Sequence, residues 1–323
     1  MLHQSLCLSS AVLLVGVGLS LEAQEREPGT YTISDNVDLV VLDVAVRNPH
    51  GGYVSGLDKK DFKVFEDGHR RKLNEFASTD TPVTIGLVVD NSGSMMRKRG
   101  EVVLAGLAFA KQSNAKDDFF VVNFNNSVVR GLPPDMLFTD NLRTLRNALY
   151  FGRPQGQTAL YDAVAYSLRH LELSRQERRA LIVVSDGGDN VSATPLPELM
   201  RLIEASRATI YTVGLFDPEA NDLNPGVLRR FAAVSGGEYF EPQVNLEHPG
   251  GPGGVIDVFN KISKELRNRY TLAYVPDETT DRRTVRSVKV TAEENNRKLL
   301  VRTRTTYTIR PFSDLVAEKN SER

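Results

Sequence analysis

Three oxygen-bearing side chains alternate in the stretch TIGLVVDNSGSMM, residues 84–96: Asp90, Ser92 and Ser94. One carboxylate and two hydroxyls on so short a loop suit a hard divalent cation. Mg²⁺ asks for octahedral oxygen coordination and keeps some of its waters. The residues before them, Ile85, Gly86, Leu87, Val88 and Val89, read as a buried parallel strand that ends on Asp90. Asn91-Ser92-Gly93-Ser94 reads as a tight polar turn, and a helix begins near Met95. The three side chains are therefore expected at the carboxyl end of a central strand. That edge is where open α/β sheets bind ligands. Taken alone, the pentapeptide fits a turn and helix cap as well as a metal loop.

Asp90-Asn91-Ser92-Gly93-Ser94 resembles the D-x-S-x-S signature of the metal-ion-dependent adhesion site in the von Willebrand factor type A family. Two further parts of that site follow in family order. Gly156-Gln157-Thr158-Ala159-Leu160-Tyr161-Asp162 is similar to its threonine loop. Leu181-Ile182-Val183-Val184-Ser185-Asp186-Gly187 is similar to its second strand and aspartate. The resemblance covers about residues 80 to 275. It implies five metal ligands: Asp90, Ser92, Ser94, Thr158 and Asp186. The hydroxyls would ligate directly and the carboxylates partly through water. The implied ion is Mg²⁺, with Ca²⁺ or Mn²⁺ as alternatives. Neutral hydroxyls leave its charge incompletely balanced, so the implied partner is a protein ligand presenting Asp or Glu. Asp162 and Asp189 read as turn and helix-start acids. The runs Arg70-Arg71-Lys72 and Arg97-Lys98-Arg99 read as solvated surface.

A strand ending in Asp before a polar loop also begins the haloacid-dehalogenase-type phosphotransferases. A Mg²⁺-dependent hydrolase or phosphotransferase is therefore the rival reading. Those enzymes carry a second Asp two positions on, where this chain has Ser92. No Gly-rich phosphate loop with Lys and no G-x-S-x-G elbow occurs. The histidines, at positions 3, 50, 69, 170 and 248, form no metal-binding spacing and read as surface or turn residues. The single cysteine, Cys7, leaves no intrachain disulfide and no thiol nucleophile in the body of the chain. A formal net charge of -1 gives no global attraction to nucleic acid. Non-enzymatic binding, without a small-molecule cofactor, is the expectation.

Elements must hold these loops in place. Helices are expected at about 97–113, with Val103, Leu104, Leu107 and Ala108 inward, and around Leu142–Leu149 and 159–173. Further helices are expected from Pro195 to about Ser206 with Thr194 as cap, at Val227–Ser235, and at Val255–Leu266. Between them lie strand candidates at 118–124, 180–186 and 209–215. Such alternation predicts an α/β fold, a doubly wound, mostly parallel, Rossmann-like sheet. On either side the pattern changes to short alternating strands. Val37–Val46 and 61–76, with a turn at Asp67-Gly68, form a unit too small to stand alone. Its motifs, Val37–Val46 and then Val54-Ser55-Gly56-Leu57 through Gly68, resemble acidobacterial VWFA-related proteins. After the strand Tyr270–Val275 come Val288 and Val290, a turn at Glu294-Asn295-Asn296, and a face of Val301, Thr303, Thr305, Tyr307 and Ile309.

The expected organisation is a signal peptide at 1–23, a β unit at 30–80 and the type A domain at 81–275. Strands at 276–310 would join the first β unit in a small all-β sandwich, and 311–323 would be a flexible tail. The apolar run Leu6–Leu21 followed by Ala23 points to export, into the periplasm or beyond the cell. Mass spectrometry of the protein from its native host is expected to find a new amino terminus near Gln24. Intact Met1 in the mature pool would overturn this.

Overall fold

The computed structural model describes residues 39–78, 80–216, 223–242, 253–276 and 285–308. The expected signal peptide and carboxy-terminal tail lie outside these residues, as does Ile309. The chain opens with β1 (Val40–Arg47), β2 (Phe62–Glu66), β3 (His69–Arg71) and β4 (Leu73–Ala77). The α/β part follows with β5 (Val83–Asp90), α1 (Arg99–Gln112), β6 (Asp118–Phe124), β7 (Val128–Arg130), α2 (Leu142–Tyr150) and α3 (Leu160–Leu171). It continues through β8 (Arg178–Ser185), α4 (Leu196–Ala205), β9 (Thr209–Gly214), α5 (Pro225–Ser235), β10 (Tyr239–Phe240) and α6 (Val255–Arg267). Last come β11 (Arg269–Tyr274), β12 (Val285–Glu294), β13 (Arg297–Lys298), β14 (Leu300–Arg302) and β15 (Thr306–Thr308).

The central sheet has the order β10-β9-β8-β5-β6-β7. Its pairs are parallel except β6 with β7. Every residue of β5 is buried, which explains its unbroken apolar run, since helices cover both faces of such a strand. Helix α1 packs on α6 and α2, while α4 packs on α3 and α5. Leu104 is an exception to the expected inward face of α1. It is 50% exposed, and Val102, Ala105 and Phe109 fill the core instead. Residue Pro195, rather than Thr194, occupies the cap position of α4. Thr194 is held through its backbone N–H, which donates to Asp162 Oδ1.

The flanking strands form two sheets, β14-β1-β11-β4 and β13-β12-β2-β3, with β15 beside β12. Leu42, Val44, Phe62, Val64, Tyr270, Leu272, Val288 and Tyr307 share one core between them. Phe62 stacks at 5.0 Å from Tyr270 and 5.7 Å from Phe76. Strand β2 pairs with β12, and β1 with β14, so segments far apart in sequence share both sheets. Sequence reading kept residues 269–274 with the α/β part. Pairing instead seats β11 between β1 and β4. Both turns expected from sequence use left-handed residues: Asp67 and Gly68, then Asn295 and Asn296.

The strand expected from Val301 onward is broken. β14 and β15 belong to different sheets, and residues 303–305 cross between them. The reason is electrostatic. Arg302 and Arg304 turn inward, where Arg304 donates to the Ser206 carbonyl. Arg302 Nη1 meets Glu238 Oε2 at 2.5 Å, and its Nη2 meets Glu265. Glu265, on α6, also pairs with Arg269 at 2.8 Å and Arg47 at 2.8 Å, and accepts from Tyr211 Oη at 2.9 Å. Burial would push the Glu265 carboxyl up, but Arg269, Arg302 and Arg47 outweigh it and hold it down at about 2.

Breaking a buried charge network by removing one member costs roughly 3–5 kcal/mol. Urea denaturation of Glu265→Ala is expected to read a loss of that order. The folded carboxyl lies below its ordinary value of 4.5, so its stabilisation is full above that pH and fades as pH falls toward about 2. Equal stability of variant and wild type at neutral pH would refute the network's role.

Candidate functional site

Asp90 ends β5 at the carboxyl edge of the sheet, in the middle of the strand order. It is 0% exposed. Its Oδ1 accepts the Ser92 N–H at 2.8 Å, which turns the chain sharply after the strand. Its Oδ2 accepts the Ser185 hydroxyl at 2.7 Å. Ser92 then begins a short 3₁₀ turn, Gly93–Met95. The Ser92 and Ser94 hydroxyls lie 3.1 Å apart, and Ser94 Oγ donates to Asp186 Oδ2 at 2.7 Å. Asp186 follows β8 directly and takes the Gly188 N–H on Oδ1 at 3.2 Å. Asp90, Ser92, Ser94, Ser185 and Asp186 thus form one hydrogen-bonded group at the ends of two adjacent strands.

Thr158 reaches this edge from a third loop. Gly93 N donates to the Gly156 carbonyl at 3.3 Å, tying that loop to the Asp90 turn. On its other side, Thr158 N donates to Asn190 Oδ1 at 2.9 Å, and Asn190 N returns to the Thr158 carbonyl at 3.0 Å. Thr158 is buried, yet no hydrogen bond links its hydroxyl to the other four residues among the described ones. Gly156 has φ +78°, and a Cβ there would stand 1.9 Å from Asn126 Oδ1, so only glycine fits.

Asp189 and Asp162 brace the loops from outside the group. Asp189 Oδ1 accepts the Tyr161 N–H at 3.0 Å and the Ser192 hydroxyl at 2.5 Å. Asp162 accepts the N–H groups of Ala193 and Thr194, both at 2.8 Å. Both acids therefore hold turns, as their positions in the sequence suggest. Ser185 and Asn190, by contrast, are not legible beforehand. A serine ending an apolar strand and an asparagine in a polar loop carry no signal until the loops meet.

Burial pushes the Asp90 carboxyl up to about 6, and the Asp186 charge adds to the rise. Hydrogen bonds from Ser92 and Ser185 oppose it. Asp186 is 6% exposed. Among the described residues neither carboxylate has a Lys or Arg partner. Of the two basic runs expected on the solvated surface, Arg70, Lys72 and Arg97 are exposed, but Arg71, Lys98 and Arg99 are turned to internal partners. Lys98 is buried and donates to the Leu215 carbonyl at 2.9 Å. Arg99 is buried and donates to the carbonyls of Leu149 at 2.6 Å and Phe151 at 2.9 Å. Arg71 meets Glu66 at 2.8 Å. Two buried carboxylates, three hydroxyls and no cation make a donor set that fits a hard divalent ion.

His170 is not the surface residue expected from sequence. It is buried among Phe120, Phe138 and Tyr166, and its Nε2 lies 2.9 Å from the Leu137 carbonyl. Burial pushes its pKa down. Among the described residues no three His, Cys, Asp or Glu side chains are placed to hold a metal ion by themselves.

Residues 85–188 match the family model of the von Willebrand factor type A domain, a span that contains all five proposed ligands. Among solved structures, the chain is similar to a von Willebrand factor type A protein from Catenulispora acidiphila. The identity is 12%, the TM-score 0.50, and the likeness covers 76% of each chain. It is also similar to the vWF domain of the type V pili tip protein Mfa5 from Porphyromonas gingivalis, at 14% identity and TM-score 0.46, over 58% of this chain and 95% of that one. A third is the manganese-loaded Plasmodium vivax TRAP protein, at 14% identity and TM-score 0.45, over 75% and 97%. No curated protein matches the chain. The α/β part therefore has the von Willebrand type A fold.

Gly187, between Asp186 and Gly188, has φ +81°, and an added Cβ would stand 2.3 Å from the Asn224 carbonyl oxygen. Gly187→Ala is expected to lower stability by roughly 2 kcal/mol or more, through strain and backbone clash together. Urea denaturation checks this, and a loss below about 0.5 kcal/mol would show that the turn relaxes freely.

Proposed function

We propose that the type A module is a metal-dependent protein-binding device, serving adhesion or assembly outside the cytoplasm. One observation carries this reading. Asp90 and Asp186, both buried and both lacking a cationic side chain among the described residues, are linked through Ser92 and Ser94 at the carboxyl edge of the sheet. Asp90, Ser92, Ser94, Thr158 and Asp186 would hold the ion. Mg²⁺ is the ion we propose, and when bound it would supply an acidic position for one carboxylate of a partner's Asp or Glu.

The chain's own residues set the terms of that capture. Asp90 has both oxygens engaged by Ser92 and Ser185, which fixes its orientation and limits its charge donation. Ser94 Oγ donates its hydrogen bond to Asp186 and stands 3.1 Å from Ser92 Oγ, so its oxygen keeps acceptor capacity that a cation could use. Hydroxyls add no negative charge. Two directly bound carboxylates would balance a divalent ion; with Asp186 acting through water, the ion would keep residual positive charge and favour a further anionic oxygen from outside the chain.

The described residues lead us to read the site as binding and not catalytic. His50, His69 and His170, the described histidines, make no bond to Ser92 or Ser94. The two serines contact each other and Asp186, and no arrangement here raises either to a nucleophile.

Calorimetry of Mg²⁺ binding to the full chain tests the reading. Asp90→Asn keeps the shape and removes the charge, and is expected to abolish binding while circular dichroism stays unchanged. Thr158→Ala removes one neutral ligand and is expected to weaken binding by roughly tenfold. Wild-type affinity in a folded Asp90→Asn would rule the site out.

A further inference from the structure

Beside the candidate site stands a rim that its metal chemistry does not use. Segment 151–156 lies directly against the Asp90 turn. The Phe151 carbonyl accepts from Asn91 Nδ2 at 3.3 Å, and Gln155 N donates to the Asn91 carbonyl at 2.8 Å. Helix α2 leads into this segment. Asn141 caps it by accepting the N–H groups of Arg143 at 2.9 Å and Thr144 at 3.1 Å. Leu145, Ala148 and Leu149 bury its inner face.

Its other face and the following turn are exposed, basic and aromatic. Tyr150 is 51% exposed, Phe151 52%, and Met96, two residues past Ser94, 64%. Arg97, Arg143, Arg146 and Arg153 are exposed as well. Arg146 stands over the Tyr150 ring, 5.8 Å from its centre. Residues 142–153 hold three arginines and no acid, in a chain whose net charge is close to zero. Adjacent exposed apolar side chains mark interaction surfaces, and arginine with aromatics is the combination that interfaces concentrate.

We propose that this ledge is the second half of the binding surface and that its occupant is an acidic protein segment. This rests on the metal-dependent reading above. One carboxylate of the segment would enter the Asp90–Asp186 site. Neighbouring Asp or Glu side chains would meet Arg143, Arg146 and Arg153. An aromatic or aliphatic residue would cover Tyr150, Phe151 and Met96. Charge complementarity selects the acidic partner. An extended chain fits better than a bilayer surface, because the proposed ligands Asp90, Ser92 and Thr158 are buried and a single side chain must reach in to meet them.

A bead-bound peptide library with a fixed central Asp and random flanks, screened with the full chain in Mg²⁺, tests this. Wild type is expected to enrich Asp or Glu and Phe or Leu beside the fixed residue. The triple variant Arg143→Gln, Arg146→Gln, Arg153→Gln is expected to keep Mg²⁺ binding by calorimetry. It should bind the selected peptides at least about tenfold more weakly, with acids no longer enriched. Phe151→Ser should lose the apolar preference alone. Random flanks on wild type, or unchanged peptide affinity in the triple variant, would overturn the ledge while leaving the metal site standing. Tighter arginine-dependent binding to phosphatidylserine vesicles than to the selected peptides would also overturn it. Absence of Mg²⁺ binding in wild type would instead refute the metal-dependent reading, and the ledge with it.

Discussion

A buried carboxylate at the end of the central strand is the constraint on which the rest depends. Asp90 closes a strand whose every residue is buried. A charge there must be compensated locally or give up its ionised form. The compensation comes from the Ser92 amide and the Ser185 hydroxyl, against the nearby charge of Asp186. Each bond dictates backbone. Ser92 must turn back toward Asp90, β8 must end level with β5, and the Thr158 loop must close over Gly93. The loops at this edge are therefore set by the satisfaction of polar groups, as buried loops must be.

What was legible in the sequence follows from the same physics. Strands buried on both faces are continuous apolar runs, so β5, β6, β8 and β9 stand out, and the helices between them show their inward residues. The Asp90–Ser94 pentapeptide is compact enough to read directly. Thr158 and Asp186 are legible only through family order, because their loops are remote in sequence. Short edge strands such as β7 and β10 have too few residues for any period. The place of β11 was hidden for another reason: an apolar strand reads the same in either sheet. Arg47, Glu238, Glu265 and Arg302 carry no signal in the sequence, since partners lie as far as 218 positions apart. Leu104 and His170 show the converse, a leucine outside and a histidine inside.

The joint between the type A fold and the flanking sheets is electrostatic. Glu265 in the last turns of α6 collects Arg47 from β1, Arg269 from β11 and Arg302 from β14, with Tyr211 of β9 behind it. Glu238 shares Arg47 and Arg302. Desolvating so many charges contributes little net stability. What the arrangement supplies is geometry. Planar guanidinium groups bond in fixed directions, so α6 and three strands of one flanking sheet are held in one register.

Comparison of the buried carboxylates then separates architecture from ligand binding. Glu66 meets Arg71 and the hydroxyls of Tyr274 and Tyr307. Asp117 meets Arg267 at 3.0 Å. Glu265 meets three arginines. Glu101, without an ion pair, accepts the first amide of α6 at 3.2 Å, where the helix dipole is positive. Each of these charges is compensated by a neighbouring cation or helix end, as a structural role requires. Asp90 and Asp186 break the pattern. The Asp186 charge raises the cost of ionising Asp90, and among the described residues only neutral donors bond to the pair. Arginines are present nearby, but Arg99 spends its donors on the carbonyls of Leu149 and Phe151. Among the described residues, the other buried acids meet a cation or a helix end and this pair meets neither, so the charge balance is incomplete at one place. That place is the sheet edge, where the proposed divalent ion would complete it.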